Sequence, residues 1–291
     1  MKKPASRIVI TGANGFIARN LRRFLNEKKI ATICIARRNF RNYKSETKII
    51  STEFSHIPIS KLKNSNSLIH LIGIGKETPE NSYQSTNIEL TKKIIRLCKK
   101  AKIKKIIYNS GLGVSKKTTS SYFISKLKAE QLIVNSGLDY TIFRPSYILG
   151  TDDLLSQNLK KQIKKGSIII PGSGNYKLQP ISVNDVVKII LQATTSKKFS
   201  KKIIDLVGPE TVSFENFVKT FSNSNKIKIK IKKINLEDAY FDALHNPRSI
   251  FSVDDLNIML GSYTGNFRTL EKISGLKLKS YKEILKSSSL P

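Results

Sequence analysis

The sequence predicts an α/β fold built on a doubly wound parallel sheet, and three observations lead to this prediction. Short runs of β-branched and apolar residues alternate with longer stretches in which apolar residues recur at helical spacing. Glycines separate the first short run from the helical stretch that follows it. Some short runs are almost wholly apolar, as strands covered by helices on both faces should be. Such alternation is typical of βαβ units, which place successive strands parallel in one sheet.

The predicted elements follow one another closely along the first half of the chain. We expect strands at residues 7–10, 31–36, 48–51, 67–74, 104–109 and 140–143, and helices at 16–26, 84–101 and 122–136. Beyond residue 145 the pattern loosens to a helix ending near residue 195, a strand at 203–207 and a strand at 227–234. In the last strand lysines alternate with isoleucines, which predicts a half-buried strand whose outward lysines protect a sheet edge.

Composition narrows the class of protein. Hydrophobic residues make up 39% and charged residues 25%, a balance typical of a globular chain rather than a disordered one. The 52 Lys and Arg against 21 Asp and Glu give a net charge of +31, which attracts polyanions without specificity. Because the lysines are spread along the whole chain, we interpret them as a solvated surface, with a dedicated polyanion surface as the alternative.

The remaining residue types indicate an intracellular protein without a bound metal. Cys34 and Cys98 have no CxxC partner and lie in apolar stretches, and the three histidines lack metal-ligand spacing. The basic start of the chain is followed by an apolar run too short for a signal peptide. No stretch approaches the length needed to span a bilayer. We therefore expect a cytoplasmic protein in a reducing compartment.

A glycine loop joins the first predicted strand to the first predicted helix. Gly12 and Gly15 stand in this turn, where glycine permits unusual dihedrals and a close approach to a pyrophosphate. The helix then directs free amides and the positive end of its dipole at the phosphates. The loop predicts dinucleotide binding, and an ordinary strand-to-helix turn is the alternative.

The residues after the second predicted strand indicate which dinucleotide binds. Arg37 and Arg38 stand where proteins that bind NAD usually carry an Asp or Glu for the ribose hydroxyls. Two arginines attract a 2′-phosphate, so the sequence favours NADP over NAD. The alternative is that these are two more basic residues in a basic protein.

A tyrosine and a lysine four residues apart indicate catalysis. Of the ten tyrosines only Tyr122 has a lysine four residues later, Lys126, and this spacing places both on one helix face. An ammonium beside a phenol lowers the pKa of the phenol, so Tyr122 can exchange a proton with a substrate oxygen during hydride transfer. Ser110, just after the fifth strand, is placed to bind that oxygen. The alternative is a packed tyrosine beside a solvated lysine.

Together these residues resemble the short-chain dehydrogenase/reductase superfamily, best its extended branch of sugar-nucleotide epimerases and dehydratases. The resemblance covers residues 7 to 208, and its motifs are Thr11-Gly12-x-x-Gly15-x-x-Ala18, residues 68–73, Asn87, Ser110, Tyr122 with Lys126, Arg144-Pro145 and residues 179–186. The stretches 70–74 and 136–145 also resemble an atypical group related to an accessory subunit of respiratory complex I. That group binds NADP, often as a structural element, and many of its members have lost the catalytic tyrosine.

The resemblance implies a set of functional residues. It makes Tyr122 the acid/base, Lys126 its partner and Ser110 the residue that binds the substrate oxygen. The cofactor-binding residues that it implies are Gly12, Asn14, Gly15, Phe16, Ile17, Arg37, Arg38, Leu71, Ile72, Gly73, Asn87, Tyr122, Lys126 and Pro145. The chain departs from the pattern where Ala18 replaces the third glycine and where only 12 positions separate Ser110 from Tyr122.

These expectations combine into one architecture and three functions. Residues 1–145, joined by 177–205, should form a Rossmann core, and residues 146–176 and 206–291 a smaller lobe, with substrate bound between them. The first hypothesis is an NAD(P)-dependent oxidoreductase or epimerase acting on an anionic substrate such as a nucleotide sugar. The second is a non-catalytic NADP-loaded assembly or scaffold protein, and the third a basic nucleic-acid binder without sequence specificity. By analogy with the family, we also expect a homodimer.

Overall fold

The computed structural model describes residues 7–287, so the basic start of the chain at residues 1–6 lies outside the described residues. Within them the chain forms two compact units. The first comprises residues 7–144 and 186–204, and the second comprises residues 145–185 and 205–287. Each unit has a hydrophobic core of its own.

The strands of the described residues are numbered along the chain. They are β1 (Arg7–Thr11), β2 (Thr32–Ala36), β3 (Glu46–Ile50), β4 (Ser65–His70), β5 (Lys105–Asn109), β6 (Asp139–Pro145), β7 (Ile148–Leu149), β8 (Ile168–Pro171), β9 (Lys177–Leu178), β10 (Ile181–Ser182), β11 (Lys202–Leu206), β12 (Val212–Ser213) and β13 (Ile231–Ile234).

The α-helices are numbered in the same way. They are α1 (Phe16–Glu27), α2 (Leu90–Lys100), α3 (Ser121–Val134), α4 (Leu154–Lys164), α5 (Val183–Thr195), α6 (Phe214–Ser224), α7 (Leu236–His245), α8 (Val253–Leu260), α9 (Phe267–Ser274) and α10 (Tyr281–Ser287). A π-helix over Gln84–Glu89 leads directly into α2. None of the helices within residues 7–287 is long and apolar enough to cross a membrane.

A seven-stranded sheet, in the order β11-β6-β5-β4-β1-β2-β3, contains the core of the first unit. The ladders joining β3, β2, β1, β4, β5 and β6 are all parallel. The strands on this sheet are apolar because both of its faces are covered, and all five residues of β2 are buried. This order is that of a doubly wound Rossmann sheet, which confirms the predicted fold class.

The order of the strands creates a switch point between β1 and β4. From β1 the chain proceeds outward through β2 to β3, and then returns to the other side of β1 to form β4. The connections on the two sides of this point therefore diverge. In open α/β sheets ligands bind in the crevice that this divergence leaves beyond the carboxyl ends of the strands.

Two predicted strands are longer than the observed ones. The fourth strand was expected at residues 67–74, but β4 ends at His70 and residues 71–74 form a loop. Apolar content alone could not separate this loop from the strand, since Leu71 still bonds to the carbonyl of Thr11 and Ile72 packs against the core of the first unit. The lysine-isoleucine strand was expected at residues 227–234, but only Ile231–Ile234 pair in a ladder, with β8.

The second unit contains three two-stranded sheets. β13 pairs with β8 and β10 pairs with β7, both in parallel, while β12 pairs with β9 in antiparallel orientation. Because β9 and β10 pair with strands of this unit, residues 177–185 belong to it, whereas the sequence led us to expect them in the Rossmann core. Gln179 ties the unit together: its side chain donates to Gly208 and accepts from the amide of Gly265.

Candidate functional site

The glycine loop lies at the switch point of the sheet. Gly12 follows β1 with a φ of +74°, and a Cβ atom at this position would lie 3.0 Å from the side chain of Ile72 and 3.2 Å from its amide nitrogen. Gly12 is thus required both by its left-handed backbone and by the close approach of the loop at residues 71–74. The two loops on either side of the switch point are in direct contact there.

The loop presents the first turn of α1. The amide of Gly15 donates to the carbonyl of Gly12 at 2.9 Å, and Gly15 caps α1 with an extended backbone. Phe16 and Ile17 are the first residues of the helix, where amides have no intrahelical acceptor and the dipole favours an anion. Asn14 uses its side-chain amide to hold the carbonyl of Arg38 at 3.1 Å.

Arg37 and Arg38 follow β2 directly and are both exposed. Arg37 donates to Asn81 at 3.4 Å, while the backbone of Arg38 is held by Asn14. The first unit therefore places the backbone of Arg38 beside Asn14 of the glycine loop, with the guanidinium of Arg37 bonded to Asn81. This is the position at which a dinucleotide presents its adenosine ribose in Rossmann proteins.

A side-chain clamp fixes the loop after β4. Asn87 lies in the π-helix and is buried; its Oδ1 accepts from the amide of Ile74 at 3.0 Å, and its Nδ2 donates to the carbonyl of Ile74 at 3.2 Å. The same Nδ2 donates to Ser125 of α3 at 2.9 Å. Asn87 thus joins the π-helix, the loop and α3. Its polar atoms hold these three segments of the site together.

His70 is the last residue of β4 and is buried close to these segments. Its Nδ1 lies 3.0 Å from Thr11 Oγ1, its Nε2 lies 3.1 Å from Thr91 Oγ1, and its ring stacks on Tyr108. Burial lowers the pKa of His70 to about 3, with the ammonium of Lys126 contributing in the same direction. The imidazole is therefore neutral and links β1, β4 and α2.

Lys126 is buried against the ends of β4 and β5. Its ammonium donates to the carbonyl of Asn109 at 3.2 Å and lies 5.1 Å from the centre of the Tyr108 ring. A Cβ atom on Gly73 would lie only 2.8 Å from this ammonium, so a side chain at position 73 would displace it. Burial lowers the pKa of Lys126 to about 8, opposed by the charge of Glu130.

The hydroxyl of Tyr122 lies beside Gly111. A Cβ atom on Gly111 would be 3.2 Å from this hydroxyl oxygen, and the ring packs against Tyr83 and Phe123. We expected Lys126 to lower the pKa of Tyr122; instead burial raises the pKa to about 12. The reason is geometric, because the ammonium lies 5.9 Å from the Tyr122 ring centre and is bonded to Asn109.

Ser110 is directed into the protein. Its hydroxyl donates to Oε1 of Glu130 at 2.6 Å, and the serine is 3% exposed. Glu130 also receives two hydrogen bonds from Arg144, at 3.0 and 2.6 Å. The proton of Ser110 is therefore committed to a buried carboxylate, and the residue whose main chain lies next to the Tyr122 hydroxyl is Gly111.

The structure thus brings the predicted residues together in two groups. Gly12, Asn14, Gly15, Phe16, Ile17, Arg37, Arg38, Leu71 and Ile72 surround the glycine loop and the loop after β4. Gly73, Asn87, Tyr122 and Lys126 gather at the ends of β4 and β5, and Pro145 is the last residue of β6. Within residues 7–287 no cluster of His, Cys, Asp and Glu could hold a metal ion.

Sequence reasoning missed two ion pairs, a buried one between Arg22 and Glu46 and a partly buried one between Arg144 and Glu130. In each pair, the position of the helical member in the sequence could have indicated its burial. Arg22 shares the apolar face of α1 with Ala18 and Leu25, and Glu130 lies one turn after Lys126. A charge on the buried face of a helix indicates a buried partner.

Two polar atoms near Lys126 remain unpaired. Among the described residues, the hydroxyl of Tyr108 and Oδ1 of Asn109 are buried without a hydrogen-bond partner. Buried polar atoms are normally paired, so such atoms beside a site are expected where a bound molecule supplies the partner. Their place at the end of β5, beside the ammonium of Lys126, fits the far end of a dinucleotide that begins at the glycine loop.

Fold and site together define a dinucleotide-binding Rossmann protein with a Tyr-Lys pair. Residues 8–206 match the NAD dependent epimerase/dehydratase family, and the chain belongs to that family.

Two of the curated relatives are mitochondrial proteins named NADH dehydrogenase (ubiquinone) 1 alpha subcomplex subunit 9, from two organisms. That of Arabidopsis thaliana is 31% identical over 51% of this chain and 38% of its own length, and that of Dictyostelium discoideum is 24% identical over 72% and 61%. The photosystem II assembly factor Ycf39 of Guillardia theta is 23% identical over 79% of this chain and 74% of its own length. The chain spans about two fifths to three fifths of the length of the two NADH dehydrogenase subunits.

Solved structures share the fold over almost the whole chain. MoeE5 in complex with UDP-glucuronic acid and NAD has a TM-score of 0.77 and 16% identity, covering 98% of this chain and 97% of the other. UDP-glucuronic acid 4-epimerase from Bacillus cereus, in complex with UDP-glucuronic acid and NAD, has a TM-score of 0.76 and 17% identity, covering 97% of each chain. At these identities the likeness concerns the fold.

Proposed function

We propose that this protein is an NADP-dependent oxidoreductase or epimerase of the extended short-chain dehydrogenase type that acts on an anionic substrate, of the nucleotide-sugar class. The observation that carries the proposal is the pair formed by Tyr122 and Lys126 at the ends of β4 and β5. The tyrosine hydroxyl lies beside Gly111, and the ammonium lies beside Gly73. A buried phenol and ammonium one helical turn apart form a proton-transfer pair.

The cofactor assignment follows from the residues around the glycine loop. The first turn of α1, at Phe16 and Ile17, would hold the pyrophosphate, and Arg37 and Arg38 would hold a 2′-phosphate. Lys126 and the unpaired Oδ1 of Asn109 would hold the far end of the dinucleotide. When bound there, the nicotinamide supplies or accepts the hydride.

Tyr122 moves the proton in this proposal. Since burial raises its pKa to about 12, the phenol keeps its proton at neutral pH and is prepared to donate it to a substrate oxygen. Donation to an oxygen accompanies reduction of a carbonyl, so we expect the reduction direction to be the faster one. The ammonium of Lys126, with a pKa of about 8, remains largely charged at pH 7 and is hydrogen-bonded to the carbonyl of Asn109.

Three observations support an anionic substrate in a reducing compartment. The net charge of +31 raises the local concentration of anions around the molecule. The solved structures with the same fold include complexes with UDP-glucuronic acid. Cys34 and Cys98 are both buried and free, which is consistent with a cytoplasmic location.

The variant Tyr122→Phe tests the catalytic assignment. It removes only the hydroxyl, so we expect turnover to fall by about 10²- to 10⁴-fold, the contribution of a positioned acid or base, while NADP affinity stays nearly unchanged. Steady-state kinetics with a panel of nucleotide sugars and fluorescence titration of NADPH measure the two effects. Tyr140→Phe, at a partly buried tyrosine of β6 in the same unit, is the matched control. Full turnover in Tyr122→Phe would show that another group carries the proton.

A specific observation favours a second candidate, a non-catalytic dinucleotide-loaded assembly protein. The Ser110 hydroxyl is committed to Glu130, and Gly111 offers no hydroxyl beside Tyr122, so Ser110 is not free to bind a substrate oxygen there. The relatives that are complex I subunits or an assembly factor support this candidate. It requires that dinucleotide survive purification, detected by mass spectrometry, and that no carbonyl substrate oxidise the reduced form. Oxidation of bound NADPH by any nucleotide sugar would rule it out.

A further inference from the structure

A buried ion pair lies beneath the glycine loop of the first unit. Nε of Arg22 donates to Oε1 of Glu46 at 2.8 Å, and Nη2 donates to Oε2 at 2.8 Å, forming a bidentate pair. The side chains of Arg22 and Glu46 are 5% and 0% exposed. The guanidinium also lies under the ring of Phe40, 4.2 Å from its centre.

The same pair holds two separate backbone segments. Nη1 of Arg22 donates to the carbonyl of Ala13 in the glycine loop at 3.1 Å, and Nη2 donates to the carbonyl of Arg41 at 2.8 Å. Oε2 of Glu46 accepts the amide of Tyr43 at 2.8 Å. One guanidinium and one carboxylate therefore connect the glycine loop to the segment between β2 and β3.

That segment has no helix or strand of its own. Residues 37–43 leave β2 and run outside regular structure until β3 begins at Glu46. Besides Arg22 and Glu46, Asn14 holds the carbonyl of Arg38, Lys48 binds the side chain of Asn39 and the carbonyl of Phe40, and the guanidinium of Arg37 donates to Asn81. Arg37 and Arg38 stand at its start, so their position depends on these anchors.

Stability alone does not explain the pair. Placing two charges in the interior costs several kcal/mol per ion, and well-packed apolar residues of similar volume often stabilise a protein as well or better. What apolar residues cannot do is hold the carbonyls of Ala13 and Arg41 and the amide of Tyr43 at fixed positions. The contacts therefore point to a role in setting geometry.

We propose that Arg22 and Glu46 are positioning residues that set the distance between the glycine loop and Arg37-Arg38, and thereby create the preference for a 2′-phosphorylated dinucleotide. The inference rests on the proposed cofactor site. With side chains that are 5% and 0% exposed, the pair is closed off from a ligand at the surface. It acts by holding the two segments that would grip the pyrophosphate and the 2′-phosphate of one molecule.

The double variant Arg22→Met with Glu46→Leu tests the proposal, because it removes both charges together and leaves no unpaired ion in the core. The measured quantity is the ratio of the Kd for NAD to the Kd for NADP in the full-length protein, by titration calorimetry. We expect this ratio to fall by about tenfold or more, the order expected when charge-assisted contacts to a phosphate are lost. Arg23→Met, on the same helix but exposed, should leave the ratio unchanged.

A cycle with Arg38→Ala separates positioning from a general loss of structure. If the ion pair acts through Arg38, the double variant should reduce the ratio much less when Arg38 is already absent. Should the double variant fail to fold, Glu46→Gln with Arg22 retained replaces it, and we expect a smaller fall in the same ratio. A folded variant with an unchanged ratio would overturn the inference alone. Failure of the wild type to bind either dinucleotide would overturn the proposed function and this inference with it.

Discussion

His70 is surrounded by protein on every side and has no exposed surface. Its two ring nitrogens face Thr11 and Thr91, and burial together with the charge of Lys126 lowers its pKa from 6.5 to about 3. The unfolded chain therefore takes up a proton on this residue at a pH where the folded chain does not. Stability contributed by the neutral ring is complete above pH 6.5 and is lost as the pH falls toward 3.

We predict that His70 makes unfolding strongly pH dependent. Between pH 6.5 and pH 4.5 it should lower the free energy of unfolding by about 1.4 kcal/mol per pH unit, the value for one proton bound in the unfolded state only. Urea denaturation at several pH values gives the free energy of unfolding as a function of pH. The difference in slope between wild type and His70→Asn measures the contribution of His70. His56→Asn, at an exposed histidine, should keep the wild-type slope. Equal slopes for wild type and His70→Asn would contradict the pKa assigned to His70.

The sequence predicted single residues well where local spacing governs them. Tyr122 and Lys126 lie on one face of α3 because four residues make about one turn. Their environment was not predictable, because the raised pKa of Tyr122 depends on burial by other segments. The direction of the Ser110 hydroxyl was not predictable either, since it depends on Glu130 and Arg144, which are distant in sequence.

At the scale of elements, the π-helix over Gln84–Glu89 is the feature with the clearest role. Wider turns are often found at functional sites. Here the π-helix contains Asn87, whose side chain holds both backbone groups of Ile74 and the hydroxyl of Ser125. The loop between β4 and this helix owes its shape to those contacts.

We predict that Asn87→Ala destabilises the protein and weakens dinucleotide binding. The change leaves the amide and carbonyl of Ile74 without their partner, at a cost of about 1–3 kcal/mol in the free energy of unfolding. Asn20→Ala is the control, since the side chain of Asn20 makes hydrogen bonds only within α1, donating to the carbonyl of Phe16 and accepting from Arg23. Chemical denaturation and NADPH titration check both effects. If Asn87→Ala matched the control in both measurements, the contacts of Asn87 would contribute neither to stability nor to dinucleotide binding.

Helices and strands were predictable where periodicity or apolar content marks them. The ends of these elements were predictable only where a turn-forming residue marks them. Gly15 marked the start of α1, whereas nothing in the apolar run at residues 67–74 marked the end of β4. Strand and loop share the same composition there because both are packed by neighbours. The switch from π-helix to α2 also lacks a local signal, since it arises from contacts made with the loop and α3.

At the scale of the whole molecule, the dominant property is the net charge of +31. The described lysines are mostly exposed and occur in both units, as the scattered sequence pattern indicated. Ion pairs such as that of Arg22 with Glu46 neutralise only a few of the basic residues. The basic residues that outnumber the acidic ones leave a broadly positive surface. Such a surface attracts phosphate polymers by releasing their counterions.

We predict that the protein binds RNA, DNA and heparin with similar, weak affinity. The logarithm of the binding constant should fall linearly with the logarithm of salt concentration, and Kd should be about 10⁻⁴–10⁻⁶ M at physiological salt, as for non-specific binding. Fluorescence anisotropy with two RNA sequences of equal length, measured against a histone-like protein of similar charge, provides the test. A preference of more than about tenfold for one sequence would instead indicate a dedicated nucleic-acid site.

The two units are both discontinuous in sequence, because α5 and the first part of β11 return to the first unit after the chain has entered the second. A ribosome must therefore synthesise about two thirds of the chain before the sheet of the first unit can be completed by β11. During that interval β6 is without its outer neighbour, and the strand edge is open to wrong partners. The first unit therefore reaches its full sheet only after residue 206 has emerged, later than its own first 144 residues would allow.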